Sequence, residues 1–259
     1  MKDVVTGTEG TITKTLSSAS YDQNKYYNIT ANLDVTNYDG NYYYMWDAQE
    51  QYWKGHEWNL GGSQPTLGLG VSGATRSNDY PKSGESRYFN TISLGSGVIH
   101  PAVNSCAGLP NANEMSWYVM YGDPRWDEER LWTIMGHLYK AGMWFKKKSV
   151  LIAEHHYDTD KSADGTTDMR TTYRPYVNSN SSSINSGVPS AADASKYFYL
   201  PALGYYLTGE MMGLGEGGIY WLSSALYNGG GAYYLGFQRG SAEVLLGERR
   251  NGSQVQAFE

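Results

Sequence analysis

The chain has a single cysteine, Cys106, in 259 residues. No intramolecular disulfide can form, and a structural zinc site that needs two or more thiolates is excluded. A lone cysteine in such a chain reads as a small buried hydrophobe. Charge is scarce too. Only 18% of residues are charged, and 20 Lys and Arg against 26 Asp and Glu leave a net charge of −6, with no clustered basic footprint for nucleic acid. The one basic run, Lys146-Lys147-Lys148, lies between Met143-Trp144-Phe145 and Val150-Leu151-Ile152 and reads as a solvated strand edge or turn. No stretch approaches the ~20 apolar residues of a membrane-spanning helix, and Met1-Lys2-Asp3 does not begin a signal peptide.

Catalytic signatures are also missing. No His-Glu-x-x-His pair, nucleophile elbow or phosphate loop appears, so neither a cofactor nor a metal is expected. His155-His156 follow Glu154 at what reads as the end of a strand, where neighbours point to opposite faces and cannot easily share one metal. Asp160, Asp164 and Asp168 have spacing suggestive of a calcium loop, but Thr171 stands where a bidentate Glu is needed, and a solvated Asp/Gly turn is the plainer reading.

What the chain has is tyrosine and glycine, 24 and 31 residues, with many Asn and Ser. Tyr and Trp give large, stiff contact area at low entropic cost. The composition is that of an extracellular or cell-surface β-rich protein, whose mature form would have lost any signal segment. Residues 1–40 carry strand signals at Thr11-Ile12-Thr13 and from Tyr26 to Val35, where Tyr27, Ile29, Ala31, Leu33 and Val35 fall on one face. Leu60 to about Gly108 reads as irregular loop. Asn111 or Asn113 caps a first helix carrying Glu114, Trp117, Tyr118 and Tyr121. A second helix is expected from Asp127-Glu128-Glu129 through Leu131, Ile134, Met135, Leu138 and Tyr139 to Gly142, with Trp144 to Ala153 as a strand. Asp158 to Gly187 reads as a polar surface loop, and order resumes at Tyr197. The expected class is α+β, with two helices and short twisted antiparallel sheets.

The closing segment, residues 218–259, repeats apolar anchors at strand spacing. Tyr233, Leu235 and Phe237 share one face and Tyr234, Gly236 and Gln238 the other; after a turn at Arg239-Gly240, Ala242 and Val244 are buried while Ser241, Glu243 and Leu245 point outward. Leu245-Leu246-Gly247-Glu248 is therefore either a surface chosen for a partner or an ordinary hairpin covered by another segment.

Tyr199-Leu200-Pro201-Ala202, Gly218-Ile219-Tyr220-Trp221-Leu222-Ser223-Ser224, Ala232-Tyr233-Tyr234-Leu235-Gly236-Phe237 and Arg249 to Val255 together resemble the C-type lectin-like fold. The nearest branch is that of secreted surface proteins of Gram-negative gut anaerobes. Leu109 to Trp117 looks like that group's first helix, so the likeness covers residues 40–259. Within the same superfold are the variable proteins of diversity-generating retroelements. Carried over from them, the exchangeable positions would be Gly236, Gln238, Ser241, Glu243, Leu245, Leu246, Gly247, Glu248, Arg250, Asn251 and Ser253, joined by Ile219, Leu222, Leu226 and Tyr227, with Arg249 and Gly252 fixed. Leu222 stands in place of the family's Ser and Ser253 in place of a common aromatic, either as products of diversification or as departures from the family. Residues 1–40 resemble the tail of a fimbrillin-type β-sandwich, and residues 41–259 would be the lectin-like domain.

The formylglycine-generating enzyme shares this superfold but needs a pair of cysteines. Gln64-Pro65-Thr66 and Trp126-Asp127-Glu128 are poor imitations of the calcium-ligating triplets of sugar-binding C-type lectins. The resemblance thus implies a non-enzymatic binding protein, a pilus-tip adhesin whose partners are protein or glycan ligands on another cell, phage or host surface, and other pilus subunits. The alternatives are a structural pilus subunit, or a glycan-active enzyme using carboxylates such as Glu210 and Glu216.

Overall fold

Asn111 begins the first helix by a local exchange. Its side chain accepts from the Glu114 amide at 3.0 Å, and the Glu114 carboxylate accepts from the Asn111 amide at 2.7 Å. Helix α1 then runs Ala112–Tyr121 as expected, burying Ala112, Met115, Ser116 and Val119, and ends at Gly122. In this computed structural model the described residues are 1–13, 20, 22–26, 35–91, 97–179, 184–226 and 231–258.

The expected second helix over 127–142 does not form. The segment is a β-hairpin, and the strands up to it are β1 (Thr36–Asn37), β2 (Tyr43–Tyr44), β3 (His100–Pro101), β4 (Arg125–Ile134) and β5 (His137–Lys146). Met135 and Gly136 make its two-residue turn with φ of 50° and 78°, the pair of positive values a type I′ turn requires. Leu131, Ile134, Met135 and Leu138 mimic a helical stripe, but the period-two alternation of Tyr139, Ala141, Met143 and Phe145 prevails because it fills one buried face. Asp127 sits at a bulge and not a helix start: its carboxylate accepts from the amides of Glu129 and Arg130 at 3.0 and 3.1 Å and from the Trp144 indole at 3.1 Å. The expected strand Trp144–Ala153 is also cut short. It stops at Lys146, and helix α2 (Lys148–Ala153) follows, with Leu151 buried.

The remaining strands are β6 (Tyr176–Asn178), β7 (Asn185–Ser186), β8 (Tyr197–Pro201), β9 (Leu203–Leu207), β10 (Glu210–Leu214), β11 (Gly217–Ala225), β12 (Gly231–Gln238), β13 (Ser241–Glu248) and β14 (Ser253–Gln254). Among the described residues they form two sheets. One orders β1-β4-β5-β8, with β7 beside β4; the other orders β10-β9-β11-β12-β13-β6, with β3 and β14 attached to β11 and β2 to β14. The architecture is mixed α and β, mostly sheet with two helices. Helix α1 packs on β6 and β13. Phe145 of the first sheet meets Phe237 of the second at 6.1 Å, within a continuous core that includes Tyr220, Leu235 and Val244.

Among the described residues of 1–40, Thr36–Asn37 is the one strand. Thr11-Ile12-Thr13 is not one, and residues 27–34, which hold most of the expected alternating segment, lie outside the described residues. Thr36–Asn37 adds to β4 in parallel. Residues 1–10 close on themselves through a Lys2–Glu9 bridge and dock on the β4–β5 hairpin, where Asp3 accepts from the Leu138 amide at 2.9 Å. No helix among the described residues is long and apolar enough to cross a membrane.

Candidate functional site

Register fixes what the closing strands present. Facing outward in successive cross-strand rows are Gly217, Gln238 and Ser241; then Ile219, Gly236, Glu243 and Val177; then Trp221, Tyr234 and Leu245. Facing inward are Tyr220, Leu235, Val244 and Tyr176, and the row of Gly218, Phe237, Ala242 and Asn178, all buried. One end of the outward face is plugged, because Trp46, Cys106 and Leu109 cover Trp221, Ala225 and Ala232. Burial pushes the Cys106 thiol up to about 12. The other end, around Ile219, Gln238 and Ser241, is open.

Tyr234 lies across the middle of this face. Its hydroxyl donates to Glu243 Oε1 at 3.1 Å, and its ring covers Gly236 and Gly247, where an added Cβ would stand 2.7 and 3.0 Å from ring carbons. Burial and the Glu243 carboxylate hold the phenol above its ordinary pKa. Beside it opens a cavity of about 200 Å³. Five of its twelve lining residues are glycines, and Ile219, Gly236, Gln238, Ser241 and Glu243 line it together with Tyr205 and Glu216. Strands β9 and β10 bring Tyr205 there, since Gly204 bridges to Gly218 in parallel.

The positions expected to be exchangeable therefore separate. Ile219, Gln238, Ser241, Glu243, Leu245, Gly247, Glu248, Arg250 and Asn251 are exposed or half-buried on the surface. Gly236 is buried beneath Tyr234 yet floors the cavity. Leu222, Leu226 and Ser253 are interior, at 0, 4 and 0% exposure, which corrects their expected place on the display surface. Leu222 has inward parity and packs in the main core, and Ser253 pairs with Tyr44 of β2. Leu246 is half-buried and turns inward opposite Tyr233. Tyr227 lies outside the described residues.

The two positions expected to be fixed have physical causes. Arg249 is 1% exposed, donates to the carbonyls of Leu226 and Gly231 at 3.0 and 3.2 Å, and lies over the Trp46 ring at 4.8 Å. Nearby Asp47 is fully buried and accepts from the amides of Val103, Asn104 and Cys106 and from the Asn90 side chain at 2.7 to 3.2 Å. Gly252 exchanges backbone hydrogen bonds with Tyr206 and leaves no room for a Cβ, which would meet the Tyr52 ring at 2.5 Å.

The other sequence candidates are occupied. Asp164 accepts from Ser162, Thr166 and Thr167, and Asp168 binds Arg170 and Asn113, as in a capped polar turn. Burial alone would raise both carboxyls, but these donors hold them below the usual range. His155 and His156 follow a helix and not a strand, and His156 stacks on Tyr121 at 4.1 Å. Gln64 is spent on Trp58 and Tyr206. Glu210 faces Arg76 at 3.8 Å and does not line the cavity that Glu216 lines. No group of three or more His, Cys, Asp or Glu that could hold a metal occurs among the described residues.

Comparison with protein-family models, with curated proteins and with solved structures finds no match to this chain.

Proposed function

We propose that this chain is a non-enzymatic binding protein that presents a variable recognition surface on a C-type lectin-like scaffold, as an adhesin at a cell surface or pilus tip. Its ligands would be proteins or glycans on another cell, phage or host surface. The support is the division of labour between the two faces of β11–β13: core anchors hold one face, while Gln238, Ser241, Glu243 and Leu245 stand on the other without contributing to that core. Surface changes of this kind typically cost within about ±0.5 kcal/mol each. Replacing Glu243, Leu245 and Glu248 together by Ser should leave Tm within about 6 °C of the parent in calorimetry. The same variant should lose binding to the cell-surface or glycan targets that the parent recognises on a displayed panel. Collapse of folding, or undiminished binding, would overturn the reading.

A further inference from the structure

The cavity between Tyr205, Glu216, Ile219 and the β12–β13 turn has a chemistry of its own. Glu216 and Glu243 are its charged lining groups among the described residues, of which no Lys, Arg or His joins them there. The nearest cation in sequence, Arg239, is engaged by Glu128 at 2.8 Å. The polar side chains of Glu216, Gln238 and Ser241 make no hydrogen bond or ion pair among the described residues, and only Oε1 of Glu243 is used, by Tyr234. Glu216 and Gln238 are exposed and Ser241 and Glu243 half-buried, so these acceptors face the hollow from its open side and can be reached by a ligand. Gly217 lies on the outward face, where an added Cβ would meet the Phe237 carbonyl oxygen at 2.7 Å, so that position is held to glycine at the edge of the hollow.

We propose that this cavity binds the guanidinium of an arginine side chain from a partner protein. A cavity of roughly 150 Å³ admits a benzene-sized ring, so a volume of about 200 Å³ admits a planar guanidinium with the end of its stem. Glu216 and Glu243 supply carboxylates for charge-assisted, fork-like hydrogen bonds, Gln238 and Ser241 supply neutral acceptors, and the Tyr205 ring supplies a face for the planar cation. A carboxylate-lined recess in a chain of net charge −6 also favours a basic partner over an acidic one by long-range attraction.

This inference rests on the reading of the outward face as a binding surface, and its test is separable from that reading. Backbone amide shifts of the full chain would be followed by NMR during titration with N-acetyl-arginine amide, with N-acetyl-citrulline amide as the neutral isostere and a methyl hexopyranoside as a sugar probe. The expected result is saturable change at Gly217, Gly236, Gln238 and Ser241 with the arginine probe, about tenfold weaker with citrulline. Binding should weaken about tenfold in Glu243→Gln and Glu216→Gln and fall with added salt. Both variants should keep the parent Tm, so that lost binding cannot be lost folding. Equal affinity for citrulline, insensitivity to both substitutions, or shifts elicited only by the sugar would overturn it. The sugar outcome would leave the binding-surface reading standing, whereas failure of the triple Ser variant to fold would remove that reading alone.

Discussion

Replacing Arg249 by Met tests whether the loops beneath the closing hairpin are held by a buried cation. The substitution keeps an unbranched side chain of similar reach but removes the charge and its donors. It removes the donors that the carbonyls of Leu226 and Gly231 meet at 3.0 and 3.2 Å, leaving Gly231 only the Leu226 amide at 3.3 Å, and it ends the contact with Trp46 at 4.8 Å. Asp47 keeps its donors from Val103, Asn104, Cys106 and Asn90, so it stays hydrogen-bonded and loses only a nearby positive charge. Leaving a buried acceptor short of its donor costs about 1–3 kcal/mol, more where the donor is charged, which places the effect at about 3 kcal/mol. With about 2–4 °C per kcal/mol for a chain of this size, Tm should drop by about 6–12 °C in calorimetry. Arg249→Lys keeps the charge without the planar fork and should fall between. A double-mutant cycle with Asp47→Asn should give a coupling of about 1–3 kcal/mol. A Met variant within about 1 kcal/mol of the parent, or strict additivity with Asp47→Asn, would refute the clamp.

Gly252→Ala should cost about 1–3 kcal/mol by overpacking, because the new methyl would lie 2.5 Å from the Tyr52 ring, which stacks on Tyr206 at 5.4 Å with both rings fully buried. Urea unfolding would reveal it as a lowered midpoint, and an unchanged midpoint would contradict the packing. Asp3 makes docking of the N-terminal segment acid-sensitive. Burial alone would raise its carboxyl, but the amides of Leu138, Thr6 and Val5 and the His137 ring draw it down to about 2, from an ordinary 3.8. A depressed carboxyl stabilises above its unfolded pKa, so this contribution should be intact above about pH 4 and be lost as pH falls toward 2. The Leu138 amide, monitored by hydrogen exchange, should lose protection across that window, and Asp3→Asn should abolish the dependence.

What could be read from the sequence was what is decided locally. Helix α1 was legible because Asn111 and Glu114 satisfy each other's backbone within one turn. The β12–β13 hairpin was legible because its alternation and the Arg239-Gly240 turn agree on one register. The β4–β5 hairpin was misread because two periodicities overlap there. The deciding signal was Met135-Gly136, a turn pair between Trp132-Thr133-Ile134 and Tyr139, residues suited to strands. Helix α2 was invisible to pattern reasoning: it is six residues long, contains Val150 and Ile152, and has no side-chain cap, so tertiary burial of Leu151 settles it. The burial of Leu222 and Ser253, and the cavity itself, depend on strands distant in sequence. Gly204 must lie beside Gly218, and β2 beside β14, before either can be seen.

The closing strands can vary only within limits set by one ring. At Gln238, Ser241, Glu248 and Arg250 a new side chain meets solvent, so chemistry there can change with little consequence for the fold. At Gly236 a Cβ would stand 2.7 Å from the Tyr234 ring, so variation there requires that ring to move from its place beside Glu243, whereas at Gly247, 3.0 Å away, a shift of a few tenths of an ångström suffices. Movement of the ring for Gly236 would reshape the adjacent cavity, because Glu243 and Gly236 both line it. Substitution at Gly236 therefore alters two things together, the shape of the recess and the direction of its carboxylate. Substitution at Leu222 or Ser253 acts through the core instead, where lost volume carries the cost of a cavity and added volume that of strain. Of the positions expected to be exchangeable, the row from Ile219 through Gly236 to Glu243 is thus where a single replacement has the greatest leverage on what the face can hold.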